Sequence, residues 1–350
     1  MKISLCMIVK DEEYLLAKCL KAIRAHVDEI ILVDTGSTDK TKVIARQFTD
    51  KIYDFPWCND FARARNFSLL HANNDWILVL DADEIVTKFD RNSLAPLTQS
   101  TEMAVGRIKR INYIENKWGP ARHTERISRV FNRQLLHYEG IIHEQIATKN
   151  KGSLYKTIPL DITVDHVGYA KEVINKTAKL ERNITLLTQA IAACPDDPYL
   201  HYQLGKSYYL AKDFRLAYTS FSSALSLPLD HAYEYVQDLV ESFGYTLINS
   251  EKYSEALEIE KFTVYYQHSP DFNFLMGLIF MNNALFSQAV ESFLKCIGSG
   301  EGKIRGVNSY LANYNIAVIY ELLGYHKEAR TYYKHCGNYA PAKKRLAAIK

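Results

Sequence analysis

The sequence predicts an α/β domain with a mainly parallel sheet, followed by an all-α array of helical repeats. Strand-like and helix-like segments alternate from Ile3 to Leu80. From about Pro198 onward strands disappear, and small and aromatic residues recur at fixed spacing. Pro195 and Pro198 mark the boundary between the two patterns. A length of 350 residues suggests about two domains, and 47% hydrophobic residues is enough for ordinary cores.

In order, Ile3 to Val9 reads as a buried strand, Glu12 to Ala25 as a helix with apolar residues at helical spacing, and Glu29 to Val33 as a second strand. Thr38 to Phe48 and Phe61 to His71 read as helices, Lys51 to Phe55 and Asp75 to Leu80 as strands. Such alternation implies a sheet with helices on both faces, and in open sheets of this kind ligands sit beyond the carboxyl ends of the strands. Asp34 and the couplet Asp81-Ala82-Asp83 both fall at that edge.

Val79, Asp81 and Asp83 lie at period two, so a continued strand would put both carboxylates on one side of its end. Two hard oxygen ligands there can hold Mg2+ or Mn2+ and leave positions for phosphate oxygens. By itself such a pair fits a solvated turn equally well. The run Asp34-Thr35-Gly36-Ser37-Thr38-Asp39 reads as a turn leading into a helix cap, and it contains neither a dinucleotide-binding glycine motif nor a P-loop.

Composition excludes several classes. Lysine and arginine exceed aspartate and glutamate by only three, without a long basic block, which argues against nucleic acid or an anionic membrane as partner. Ile3 to Val9 is too short for a signal-peptide core or a membrane span, so a cytoplasmic location is expected. The six cysteines are scattered with no Cys-x-x-Cys pair, which argues against a zinc knuckle or a disulfide framework.

Four blocks in order, Ser4 to Glu13, Val33 to Asp39, Trp57 to Asn66 and Asp81 to Glu84, resemble family 2 glycosyltransferases of the GT-A fold. The pattern is similar to the bacterial subgroup with a C-terminal tetratricopeptide array, which includes peptide S-glycosyltransferases that modify glycocins. The resemblance implies that Val9 and Lys10 border the nucleotide base, that Asp34 bonds the base or ribose, and that Arg65 lies near the diphosphate. Arg63 and Arg65 also fit a solvated helix face. It further implies Asp83 as the main metal ligand, Asp81 as a second contact to metal or ribose, Ala82 between them in the donor site, and His166 as a late metal ligand. Lone histidines are also common as packing residues.

Inverting members need a carboxylate to take the acceptor's proton. Glu144, in Tyr138-Glu139-Gly140-Ile141-Ile142-His143-Glu144, is the leading candidate, with Asp60 in reserve; either also fits a loop-closing hydrogen-bond role. Arg107 to Ile114 and Ile127 to Phe131 read as strands, and Arg129 to Arg133 resembles a further family block.

The tetratricopeptide pattern is met by Gly205, Tyr208, Ala217, Phe221 and Ala224, by Gly277, Phe280, Ala289 and Phe293, and by Ala317, Tyr320, Ala329 and Tyr333. Gly244 and Ala256 mark a degenerate unit in which Glu260 replaces the aromatic, making four units. The domains expected are 1–168 for the GT-A domain, 169–196 for a linker helix and 197–350 for the repeats. The function expected is a metal-dependent (Mn2+ or Mg2+) inverting transferase that moves a sugar from a nucleotide-sugar, UDP favoured by the resemblance, to a peptide or protein. The repeats would recruit that acceptor or build a homodimer. The alternatives are a lipid or surface-glycan acceptor and, in another class, an inactive transferase serving as an interaction protein.

Overall fold

The computed structural model describes residues 1–116, 119–150, 152–167 and 172–349. They divide into two units, one built from Met1–Ile114 and Arg122–Lys179, the other holding Leu180 onward. The expected boundary between Gly168 and Tyr169, and the first residues of the expected linker helix through Lys171, lie outside the described residues.

The first unit runs β1 (Ile3–Val9), α1 (Leu16–Ile23), β2 (Glu29–Asp34), α2 (Thr41–Ala45), β3 (Ile52–Asp54), α3 (Phe61–Leu70) and β4 (Trp76–Val79). Then come β5 (Glu84–Phe89), α4 (Ala95–Gln99), β6 (Ala104–Asn116), β7 (Gly119–Asn132), β8 (Leu136–Glu139), β9 (Gln145–Thr148) and β10 (Lys156–His166). Eight strands form one sheet in the order β3-β2-β1-β4-β7-β6-β10-β5, with β8 and β9 as a separate pair. The first four of the strands read from the sequence are parallel. β7 then runs antiparallel to β4, with Leu78 opposite Val130, and β5 antiparallel to β10. The sheet is therefore mixed, with parallel pairing again between β10 and β6.

Strand periodicity separates two cores. Leu5, Met7, Leu32, Leu78 and Leu80 pack with Leu16, Cys19, Leu20 and Ile23 of α1 on one face. Cys6, Ile31, Val33, Ile77 and Val79 pack with Ala62 and Leu69 of α3 on the other. Both early helices start later than their periodicity suggests, because the loops after β1 and β2 use their amides on each other. Asp11, Glu12 and Glu13 N–H groups donate to Ser37 Oγ (2.9 Å), Thr41 Oγ1 (2.7 Å) and Asp39 Oδ2 (3.1 Å). Thr38 N–H in turn donates to Asp11 Oδ1 at 2.8 Å.

α5 (Glu172–Ala193) is divided between the units at Lys179, and the second unit continues with α6 (Pro198–Leu210), α7 (Phe214–Ser226), α8 (Glu234–Asn249), α9 (Tyr253–Ala256), α10 (Thr263–Tyr266), α11 (Pro270–Asn282), α12 (Phe286–Cys296), α13 (Tyr310–Leu322), α14 (His326–His335) and α15 (Ala340–Ala348). Asp197, Asp213 and Ser269 cap α6, α7 and α11 through their side chains. The small residues of the repeat pattern are helix contacts: a Cβ on Gly205 would lie 2.5 Å from the Phe221 ring, and one on Gly277 2.5 Å from Phe293. In the degenerate unit the second helix breaks into α9, a 3-10 segment over Leu257–Phe262 and α10. Glu260, standing where the other units place an aromatic, lies in that 3-10 segment.

A buried polar cluster joins α6, α8, α11 and the loop before α13. Asp238 accepts from Tyr202 Oη at 2.5 Å and Lys206 Nζ at 3.0 Å, and Asp271 accepts from the Lys303 and Ile304 amides. Glu241 is 7% exposed and accepts from Gln237 Nε2 at 2.7 Å. Burial pushes its carboxyl up to about 7, against the lowering effects of Lys303 and of that hydrogen bond. The folded chain thus keeps the proton that the unfolded chain loses above about pH 4.5, so stability falls as pH rises from there to about 7. Glu241→Gln is expected to leave stability nearly unchanged at pH 5 and to raise it at pH 8, by on the order of 1–3 kcal/mol. Urea unfolding of the full chain at the two pH values checks this; an equal effect at both would contradict it.

Candidate active site

The couplet does not continue β4. The strand ends at Val79, and Asp81-Ala82-Asp83 forms a turn closed by the Glu84 amide donating to the Asp81 carbonyl at 3.0 Å. The expectation that both carboxylates leave one side of a strand is therefore corrected: the turn sends them to different partners. Glu84 explains the turn. Its carboxylate, fully buried, accepts from the Asp81 amide at 3.1 Å, from Arg129 Nη2 at 2.8 Å and from Arg110 Nη1 at 3.2 Å. From α1, the Cys19 thiol donates to the Glu84 carbonyl at 3.3 Å, and burial raises its pKa well above the ordinary thiol range. Ala82 is 4% exposed and belongs to the α1-side core.

Asp81 is gripped on both oxygens. Arg65 Nη2 donates to Oδ1 at 2.9 Å and Arg129 Nη2 to Oδ2 at 2.7 Å. Burial raises the Asp81 pKa, but Arg129 and Arg65 outweigh it and hold the carboxyl far below the ordinary range. Its side chain is still 36% exposed. Arg65 is only 7% exposed, so it lies beneath the couplet rather than on a solvated helix face, and its Nε donates to Glu144 Oε1. Burial lowers its pKa, and Asp81 and Glu144 more than restore it. The result is an alternating chain of charges, Glu144, Arg65, Asp81, Arg129, Glu84, Arg110 and Glu125, crossing from α3 through the couplet to β6 and β7. Arg65 Nη1, Arg129 Nε and Tyr138 Oη are buried in this region without a hydrogen-bond partner.

Asp83 meets His166, from the end of β10, at 3.1 Å between Oδ2 and Nε2. His166 Nδ1 lies 2.8 Å from Asn112 Oδ1, and the Asn112 amide nitrogen donates to Glu125 Oε1 at 2.6 Å, which orients the imidazole. The hydrogen bond to Asp83 raises the His166 pKa, partly offset by burial. Among the described residues no group of three or more His, Cys, Asp or Glu side chains is placed to hold a metal ion.

At the end of β2, Asp34 is 1% exposed. Its Oδ1 accepts from the Gly36 and Ser37 amides at 2.9 and 2.8 Å, in a turn that needs Gly36 at φ 107°. Its Oδ2 is buried and has no partner. The neighbouring β1 ends in buried Val9 and exposed Lys10, and the Thr35 amide donates to the Val9 carbonyl at 2.9 Å. Asp60 caps α3, its Oδ1 accepting from the Arg63 amide at 2.9 Å.

The structure therefore joins Arg65, Asp81 and Glu144 directly, and pairs Asp83 with His166, which Asn112 links to Glu125 at the far end of the charge chain. Asp34, Val9 and Lys10 gather on adjacent strand ends, and Asp60 stands as a helix cap. Sequence reasoning gave no role to Glu84, Arg110, Glu125 or Arg129. The one available signal was charge balance, since a buried acidic run such as Asp81 to Glu84 requires cations from elsewhere.

Residues 4–153 match the family described as glycosyl transferase family 2, and residues 310–343 match a tetratricopeptide repeat. Over 212 residues the chain is 33% identical to a TPR repeat-containing protein of Synechococcus elongatus, covering 58% of this chain and 51% of that protein. Over 207 residues it is 30% identical to the SPbeta prophage-derived glycosyltransferase SunS of Bacillus subtilis, covering 58% and 48%. The chain thus spans about half the length of these curated relatives. Among solved structures, MamA aligns with a TM-score of 0.39 at 16% identity, over 51% of this chain and 96% of that one. YrrB, described as a TPR protein with an unusual peptide-binding site, aligns at 0.40 and 18%, over 51% and 86%.

Asp81→Asn strips one carboxylate from each of two buried guanidiniums and is expected to cost about 1–3 kcal/mol of stability. Asp83→Asn, which frees only a partly exposed histidine, is expected to cost less than about 1 kcal/mol. Chemical unfolding of both variants checks the contrast. Residues 4–153 thus carry a match to the family 2 glycosyltransferases, and the chain continues into a helical region with a tetratricopeptide-repeat match at residues 310–343.

Proposed function

We propose that the chain transfers a sugar from a nucleotide-sugar to a peptide or protein side chain, with inversion at the anomeric carbon and with a divalent metal ion. The observation that carries this reading is the unpartnered, buried Oδ2 of Asp34 at the same strand-end edge as the Asp83–His166 pair. A buried carboxylate oxygen calls for a donor, and a base N–H or ribose hydroxyl supplies one, with Val9 and Lys10 alongside.

The donor set at Asp83 and His166 fits a metal. Asp83 Oδ1 makes no hydrogen bond among the described residues, and the imidazole is already oriented through Nδ1. Two protein ligands leave room for phosphate oxygens, and an imidazole nitrogen favours Mn2+ over Mg2+. When bound, the metal would neutralise charge developing on the departing diphosphate. Asp81, committed to two arginines, serves as the fixed negative wall of the site. Arg65 and Arg129 hold it there.

In the reaction the acceptor's O–H or S–H proton passes to Glu144. The acceptor atom bonds to the anomeric carbon, and the bond to the diphosphate oxygen breaks with its electron pair on the nucleotide. Glu144 Oε1 is held by Arg65, and Oε2 makes no hydrogen bond among the described residues, which makes Oε2 the proton-accepting atom. Asp60, as a helix cap, is the weaker candidate. A peptide acceptor is supported by the tetratricopeptide-type helical region, since stacked helical repeats present surfaces suited to extended chains or to a second copy. No helix of the described residues is long and apolar enough to cross a membrane. The UDP preference and the cytoplasmic location belong to the same proposal.

Calorimetric titration with a panel of UDP- and GDP-sugars, with Mn2+ and with chelator, tests the reading. One donor is expected to bind only with metal, at least tenfold more weakly to Asp83→Ala or His166→Ala, and more weakly to Asp34→Ala with or without metal. Equal binding of all variants, or none by the folded wild type, would overturn it.

A further inference from the structure

Helix α3 carries an asparagine, Asn66, in its interior, where asparagine is a poor helix former. Its side chain has a use. Asn66 Nδ2 donates to the Tyr138 carbonyl at 2.8 Å, and the Tyr138 amide donates to Asn66 Oδ1 at 2.9 Å. One side-chain amide thus satisfies both backbone groups of a strand residue, as a neighbouring strand would. Tyr138 lies opposite Ile146 in the β8–β9 pair, so Asn66 closes the edge that this pairing leaves open.

From Tyr138 the chain enters the loop that ends at Glu144. Gly140 at φ 96° and His143 at φ 49° give it a sharply bent path. α3 holds that loop at two further points: the Phe61 amide donates to the Ile141 carbonyl at 2.9 Å, and Arg65 pairs with Glu144. Phe61, Arg65 and Asn66 therefore hold residues 141, 144 and 138. Of these anchors Asn66 alone fixes the loop at its entry, and it touches neither the couplet nor Asp34.

We infer that Asn66 is a positioning residue for proton transfer: by pairing both backbone groups of Tyr138 it sets the path of Gly140–Glu144 and so places the Glu144 carboxylate. This rests on Glu144 being the proton acceptor. It separates loop placement from donor binding, because the Asp34 turn and the Asp83–His166 pair are built on β2, the couplet and β10 and share no hydrogen bond with Asn66.

Asn66→Ala and Asn66→Asp test this in the full chain, with Glu144→Gln for comparison. Aspartate keeps the acceptor for the Tyr138 amide but places a negative oxygen against its carbonyl, so both variants lose the paired contact. Three readouts are taken: amide hydrogen exchange, affinity for UDP-glucose and UDP-N-acetylglucosamine with Mn2+, and the rate of UDP release with water as acceptor. The expected result is at least tenfold faster exchange over residues 138–144 with β1, β2 and β4 unchanged, donor affinity within twofold of wild type, and UDP release slowed at least tenfold. Unchanged exchange over 138–144 overturns the inference, and so does a parallel loss of affinity and rate, which marks a merely structural role. If Glu144→Gln releases UDP at the wild-type rate, the proton-acceptor assignment fails on its own, and with it the link from Asn66 to proton transfer. If neither sugar turns over, the exchange result decides whether Asn66 places the loop.

Discussion

Burying the Arg65 guanidinium constrains everything around it. A cation 7% exposed must be surrounded by carboxylates, and the two that answer it come from distant parts of the chain: Asp81 from the turn after β4 and Glu144 from the loop after β8. Their meeting requires α3 to lie against the sheet face made by Ile31, Val33, Ile77 and Val79. It also requires the β8–β9 pair to come to rest beside that helix. One side chain thus ties the turn of the couplet to the loop that carries Glu144.

The same logic propagates across the sheet. Asp81 needs a second cation, Arg129 on β7 supplies it, and Arg129 in turn needs Glu84. Glu84 is compensated by Arg110, and Arg110 by Glu125, which through Asn112 orients His166. An alternating chain of this kind costs desolvation at every member, and replacing such pairs by hydrocarbon is often neutral for stability. Its geometric effect is to hold His166 and Glu144 at opposite ends of one connected network while both oxygens of Asp81 are taken by arginines.

Much of the scaffold was legible in the sequence. The first four strands announced themselves by apolar runs of the right length, and the repeats by Gly205, Gly277 and their aromatic partners, because close helix contact admits only a small residue there. The strand-end positions of Asp34 and the couplet followed from topology. The mixed half of the sheet was less legible, since β6 and β7 carry Arg107, Arg110, Arg126 and Arg129 in place of a clean apolar alternation. The partners that make those arginines tolerable are distant in sequence. For the same reason the sequence left open whether Asp81 to Asp83 continued the strand or turned: what bends the chain is Glu84, an acid whose burial depends on two cations contributed by later strands. Asn66 was visible only as part of a motif, because its partner is a backbone rather than a side chain.

The most direct test of the central claim is the cost of removing the Arg65 charge in two backgrounds, read as unfolding free energy of the full chain. In the wild type, Arg65→Met leaves Asp81 and Glu144 short of a cation and is predicted to cost about 3 kcal/mol or more. In a chain already carrying Asp81→Asn and Glu144→Gln, the same substitution removes an unpaired buried cation and is predicted to be neutral or stabilising. An equal cost in both backgrounds would contradict the account, showing that Arg65 contributes through packing alone and that the two carboxylates are positioned by something else.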